Sequence, residues 1–447
     1  MTLRNGSKAT LGCFLALVTG LILLGSCGGS SSSSITGPPA SSNTAAVTVG
    51  FGPTGQYVNG IFTSVTICQH NTSNCQTVDN VLVDTGSTGL RVLNSALTTV
   101  PASSLATVTD PASGDAIQEC IQYGDTSYTW GPMLAGDVEL AGEKTSEIAI
   151  NVIGGNSFDV PASCITTPIA PGLPNAGNDD TVDALGANGI LGIAAGYPWD
   201  CAECTEGIPT DDPYYICPGG QCGQVEILVI GSEATNPVAA FSSADNNGVL
   251  ITLPSIPATG AASGTVSGSL IFGIATQSDN AFASTATVYG VDDYFLIPEA
   301  TYNSTQYTSP SLGGDNLIIL DTGSNGLYFL DATTLASAGI VECADEPGFY
   351  CPSGTVPFTV TLYGENSTSG TINFNIANAD TLFATGNAAF NDLGGDGGTS
   401  PSTDDLDFGL PFFFGRSVYV GMMPATFSGE SAPPSAASSA TYGYYAF

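Results

Sequence analysis

The feature that most constrains this chain is a short box that occurs twice. Val81-Leu-Val-Asp84-Thr85-Gly86-Ser87-Thr-Gly-Leu90 returns 237 residues later as Ile318-Ile-Leu-Asp321-Thr322-Gly323-Ser324-Asn-Gly-Leu327. Each copy is an apolar strand running into Asp-Thr-Gly-Ser. One copy alone would say little, because an Asp at a strand end commonly just begins a turn. Two copies at lobe-sized separation point to a duplicated unit with a carboxyl at the same place in each half.

That duplication suits a particular chemistry. Two carboxyl groups brought together cannot both ionise cheaply, so they share one proton, and one is a base while the other is an acid at the same pH. The ionised member can take a proton from a water attacking a peptide carbonyl, while the protonated member donates to the carbonyl oxygen. Asp84 and Asp321 are therefore the candidate catalytic pair. Gly86 and Gly323 let backbone amides come close to the carboxylates. Ser87 and Ser324 can donate to the outer oxygens, and Thr85 and Thr322 can tie the two loops together across the interface between the halves.

Composition narrows the class. The 447 residues include 56 Gly and are 43% hydrophobic. The apolar runs are short and bounded by Gly, Asn, Asp or Pro, which predicts many short strands and few long helices. Forty acidic residues face five Lys+Arg, for a formal charge of −35. Two of the five, Arg4 and Lys8, lie in the first residues, leaving Arg91, Lys144 and Arg416. Nucleic-acid binding is excluded, since no basic surface could displace phosphate counterions. His70 is the single histidine and lies in a small polar loop between Cys68 and Cys75. A Ser–His–Asp triad or a His-based zinc site would have to use it, which argues against both. Asp404, Asp405 and Asp407 read as a solvated acidic loop. No metal and no cofactor is expected.

Residues 1–26 read as an export signal, with Arg4 and Lys8 before the apolar run Leu11–Leu24, which is short for a membrane span. Leu24-Gly25-Ser26-Cys27 resembles the lipobox of bacterial lipoproteins, which implies cleavage before Cys27 and acylation of its sulfur. Residues 27–45 read as a Ser/Gly-rich tether. The expected place is the bacterial envelope, on the periplasmic or surface side, held to the membrane by lipid alone. The remaining cysteines are an even set, so disulfides are expected. Spacing suggests Cys68–Cys75 and Cys343–Cys351 as small loops and Cys120–Cys164 as a longer link. Cys201, Cys204, Cys217 and Cys222 resemble a zinc ribbon in spacing, but export favours disulfides here too.

The two boxes resemble those of the pepsin-like aspartic peptidases, and the likeness extends over most of residues 46–425. In that family an apolar-apolar-Gly segment supports each aspartate; Ile190-Leu191-Gly192 fits this in the first half, and Phe413-Phe414-Gly415 is the expected counterpart in the second. Tyr123-Gly124-Asp-Thr-Ser127 resembles the flap hairpin over the substrate cleft, with Tyr123 and Gly124 as its substrate-facing residues. Ser267–Gly273 resembles the strand between the lobes. Two departures stand out. Arg91 occupies the place of a Trp that partners the flap tyrosine, and a Cys-rich stretch near 196–247 has no counterpart. The lipobox, tether and boxes together also resemble a bacterial family of unknown function.

The resemblance implies an all-β, bilobal acid-protease fold, with two β-barrel-like lobes related by a pseudo-twofold axis and a cleft between them. The lobes are expected at 46–276 and 277–427, followed by a low-complexity tail at 428–447. The implied activity is that of a monomeric aspartic endopeptidase acting on a peptide or protein. The alternative is a catalytically silent envelope lipoprotein of the same fold that binds a peptide or glycan.

Overall fold

The computed structural model describes residues 43–124, 126–155, 158–166, 177–200, 213–224, 231–398, 404–422 and 443–447. The signal, Cys27 and most of the tether lie outside these residues, as do Cys201 and Cys204. Among the described residues the chain is nearly all strand, with helices of five residues at most.

Each half builds the same arrangement around its box. In the first, the strand Gly189–Ile193 lies parallel to Cys75–Asp84 and antiparallel to Thr88–Leu93, with Gly192 opposite Asp84. In the second, Leu406–Gly409 lies parallel to Ile318–Asp321 and antiparallel to Leu327–Phe329, with Gly409 opposite Asp321. The third strand thus threads between the two arms of the box. This register corrects the expectation for the second half: the supporting glycine is Gly409, in Asp407-Phe408-Gly409, and not Gly415. Space explains why both positions are glycine. A Cβ on Gly192 would stand 2.8 Å from the Ser87 carbonyl oxygen, and one on Gly409 would stand 2.6 Å from that of Ser324. Gly415 instead follows the short turn Leu410–Phe413 and packs against Ser255.

The halves are joined by a continuous antiparallel sheet. Its order is Thr44–Gly50, Val266–Phe272, Gly248–Thr252, Ser417–Gly421, Tyr444–Ala446 and Val288–Gly290. The expected inter-lobe strand is there, as Val266–Phe272. The last strand in sequence, Tyr444–Ala446, falls inside what composition marks as a tail, so the chain's end belongs to the fold. One apolar cluster runs through both halves, including Val83 and Leu191 with Leu320 and Phe408, so burial of apolar surface favours the halves staying together.

Four disulfides are formed among the described residues: Cys68–Cys75, Cys120–Cys164, Cys217–Cys222 and Cys343–Cys351. The Cys217–Cys222 bond leaves neither sulfur as a thiolate ligand, which removes half of the zinc-like set.

Candidate active site

The two boxes meet through their threonines. Thr85 Oγ1 donates to the Leu320 carbonyl at 2.7 Å and accepts from Thr322 N at 2.9 Å. Reciprocally, Thr322 Oγ1 donates to the Val83 carbonyl at 2.7 Å and accepts from Thr85 N at 3.1 Å. The symmetry is that of a local twofold axis. All four bonds are buried, so each lost partner leaves a desolvated group. Thr85→Val removes one donor and one acceptor and strands Leu320 O and Thr322 N, a cost of about 2–4 kcal/mol at roughly 1–2 per group. Urea unfolding should show that loss, largely rescued by Thr85→Ser. In Thr85→Val/Thr322→Val the effects should fall short of additive, since the four bonds are one network.

Above this grip the two carboxyls come together. Gly86 N donates to Asp84 Oδ1 at 2.8 Å, and Gly323 N donates to Asp321 Oδ1 at 2.7 Å. The Ser87 hydroxyl donates to Asp84 Oδ2, and that of Ser324 donates to Asp321 Oδ2 at 2.8 Å. Each glycine faces the opposite carboxyl: a Cβ on Gly86 would lie 2.5 Å from Asp321 Cγ, and one on Gly323 would lie 2.5 Å from Asp84 Oδ1. Both carboxyls are shut from solvent, at 0% and 2% exposure, whereas Gly86 and Ser87 are half-buried. Burial, then the charge of Asp321 and a hydrogen bond with it, push the Asp84 carboxyl up to about 8 against the pull of Ser87. The pair therefore holds a proton at neutral pH, and the apparent value belongs to the pair.

A second buried carboxyl shows the same effect. Asp404 is fully buried, contrary to the solvated loop read from sequence, and Asp407 is buried beside it. Burial and the neighbouring Asp331 push Asp404 up to about 7. Both Asp84 and Asp404 bind protons more tightly folded than unfolded, where a carboxyl titrates near 4. Stability from these groups is full below about pH 4 and is lost as pH rises towards 7 and 8, at about 1.4 kcal/mol per pH unit per group. The melting temperature should fall between pH 4 and pH 8, and a rise across that window would contradict these positions.

Two side chains that the sequence did not single out clamp the first half to the second box. The Tyr57 hydroxyl donates to the Gly323 carbonyl at 2.9 Å. Asn59 Nδ2 donates to the Asn325 and Phe390 carbonyls at 2.8 and 3.0 Å, and its Oδ1 accepts from Phe390 N at 2.7 Å. Asn59 sits at φ +53°, a left-handed conformation that Asn tolerates. The only sequence signal was an Asn-Gly pair, which reads as a turn.

The hairpin expected as the flap is present, as Ile117–Gln122 paired with Ser127–Leu140. Tyr123 lies at its tip, 2% exposed, in one apolar cluster with Tyr57, and its hydroxyl lies 3.1 Å from Thr129 Oγ1. Gly124 is half-buried beside it. Arg91 is wholly buried: Nη2 and Nε donate to Glu119 of the hairpin at 2.9 and 3.1 Å, Nη1 donates to the Thr88 carbonyl at 2.8 Å, and Nη2 also reaches Asp200. Burial opposes the charge, but Glu119 and Asp200 outweigh it and hold the guanidinium pKa well above its ordinary value. His70 pairs with Asp137 at 2.6 Å away from the boxes. Arg416 binds the Phe412 and Asn373 carbonyls and stacks 4.2 Å over the Phe412 ring.

A family model described as "Protein of unknown function (DUF3443)" matches residues 39–437. The chain belongs to this family. No curated protein matches it. The chain is similar to a solved aspartic proteinase from Irpex lacteus at 16% identity, with 84% of this chain and 93% of that one covered and a TM-score of 0.44. Membership in the family brings no activity with it, so the reading of function rests on the site.

Proposed function

We propose that the chain is an aspartic endopeptidase whose water is activated by the Asp84–Asp321 pair. The observation that carries this reading is the placing of each box carboxyl against the other box's glycine, each hydrogen-bonded by its own Gly amide and Ser hydroxyl, with Asp321 acting on Asp84 by charge and a hydrogen bond. The ionised member takes the proton of a water as it attacks the scissile carbonyl. The protonated member gives its proton to the carbonyl oxygen, and the exchanged proton then assists departure of the amine. Tyr123 and Gly124 of the hairpin cover the peptide. Lipidation at Cys27 would hold the enzyme at the bacterial envelope, so that Cys27→Ser should release it from the membrane fraction.

Burial of both carboxyls favours a second reading, a binding module that grips a peptide or glycan without turnover. The test is incubation of the exported domain with a mixed peptide library between about pH 3 and 7, the range in which a proton-sharing pair works, with and without pepstatin. Pepstatin-sensitive cleavage is expected. Peptide binding with no cleavage at any pH would favour the silent module.

A further inference from the structure

The two halves share a fold around their boxes, and the position two before the supporting glycine changes from apolar to acidic between them. The strand that supports Asp84 has Ile190 two residues before its glycine, opposite Leu82. The strand that supports Asp321 has Asp407 there, opposite Ile319 and, across its other edge, Tyr328. Asp407 is buried, and its Oδ2 lies 2.5 Å from Ser324 Oγ, the hydroxyl that also lies 2.8 Å from Asp321 Oδ2. In the first half Ser87 makes the corresponding bond to Asp84.

A hydroxyl carries one proton and here stands between two carboxyl oxygens. If Ser324 donates to Asp321, as Ser87 does to Asp84, the contact with Asp407 needs a proton from Asp407 itself. The surroundings favour that arrangement. Asp84, Asp321 and Asp407 all act on the phenol of Tyr445, Tyr328 stands opposite Asp407 across the strand pair, and Asp404 precedes it by three residues; each of these groups is an acid. The basic side chains among the described residues are engaged elsewhere: Arg91 with Glu119 and Asp200, Lys144 with Glu139, Arg416 with backbone carbonyls, and His70 with Asp137.

We infer that Asp407 is a positioning residue for the pair: held as a neutral acid, it donates to Ser324, which donates to Asp321, and its ionisation draws the hydroxyl away from Asp321. The inference rests on the proposed peptidase reading and adds to it a control on the alkaline side of the activity. When Asp407 loses its proton, Ser324 turns towards the new charge and Asp321 loses the donor that keeps its outer oxygen in place. The chain Asp407–Ser324–Asp321–Asp84 then no longer holds the ionised and protonated members in their separate roles.

Asp407→Asn separates the outcomes. The amide keeps a donor for Ser324 and cannot ionise. Its kcat/KM on the acid side should stay within about twofold of wild type, while the alkaline limb should move up by about one pH unit, a tenfold change in proton affinity. Asp407→Leu, which restores an apolar residue as at Ile190, removes the donor and should lower kcat across the profile with little change in KM. Independently of turnover, 13C titration of labelled aspartate carboxyls should show Asp321 responding to Asp407 in wild type and losing that response in Asp407→Asn. An unshifted or downward-shifted alkaline limb, or an Asp321 titration identical in wild type and Asp407→Asn, would overturn the inference while leaving the peptidase reading standing. Wild type that cleaves nothing sinks the peptidase reading, and the carboxyl titration still decides whether Asp407 is linked to Asp321.

Discussion

Asp84→Asn or Asp321→Asn should reduce kcat for peptide cleavage by about 10³-fold or more, on the scale set by loss of a positioned acid or base, without lowering the melting temperature at pH 7. The two halves of this expectation have one cause. Asp84 is fully buried, and its ionised form is disfavoured by burial and by Asp321. An uncharged amide of the same shape removes that penalty, so the fold gains or holds stability while the proton exchange is lost. The amide can still accept from Gly86 N through its oxygen, as Asp84 Oδ1 does now at 2.8 Å. The double variant should be no slower than either single one, because the pair acts as a unit. Full activity in either single variant would remove the mechanism. A large fall in melting temperature would mean instead that the charge of the pair is structural.

Much of this arrangement was legible in the chain, and the reason is local. Asp-Thr-Gly-Ser after an apolar strand carries its own geometry: the glycine admits the opposite carboxyl, the serine caps its own, and the threonine reaches across. Duplication then says that the two copies face each other. Gly192 could be read as well, because Ile190-Leu191 before it are apolar on both faces, as a strand buried between two others requires. Its partner could not. Phe412-Phe413-Phe414-Gly415 is the more apolar run, whereas the segment that threads the second box carries Asp407 in the middle. Only the parallel register with Ile318–Asp321 identifies Gly409. Asn59 and Tyr57 escaped for a different reason. Their partners lie 266 and more residues away, and no local pattern encodes a contact of that range. The strand Tyr444–Ala446 is too short to stand out after a low-complexity stretch, and one of the two strands that hold it, Val288–Gly290, lies far from it in sequence.

Arg91 and the Cys-rich stretch near 196–247 are joined in one buried charge cluster. Arg91 stands where an apolar ring was expected, and a buried guanidinium needs counter-charges. The hairpin supplies Glu119, and the insertion near 196–247 supplies Asp200. The insertion also lays Tyr214–Ile216 along the outer edge of the hairpin strand Ile117–Gln122, and the Tyr214 hydroxyl donates to the Asp200 carbonyl at 2.9 Å. A buried charge beside this hairpin therefore goes with a segment that neutralises it and pairs along the hairpin's edge. Arg91→Met should then cost about 3–5 kcal/mol at pH 7, the range for breaking a buried pair by removing one partner, because Glu119 and Asp200 are left facing each other without a cation. Arg91→Lys keeps the charge but cannot span Glu119, Asp200 and the Thr88 carbonyl with one ammonium, so it should recover only part of the loss. Adding Glu119→Gln to Arg91→Met should restore stability relative to Arg91→Met alone, which no account based on lost packing predicts. The deficit of Arg91→Met should also shrink towards pH 4, as the stranded carboxyls protonate. Urea unfolding of the three variants at pH 7 and pH 4 decides the matter. A deficit that is equal at both pH values, and that Glu119→Gln deepens, would show that Arg91 serves as a packed side chain whose charge is incidental.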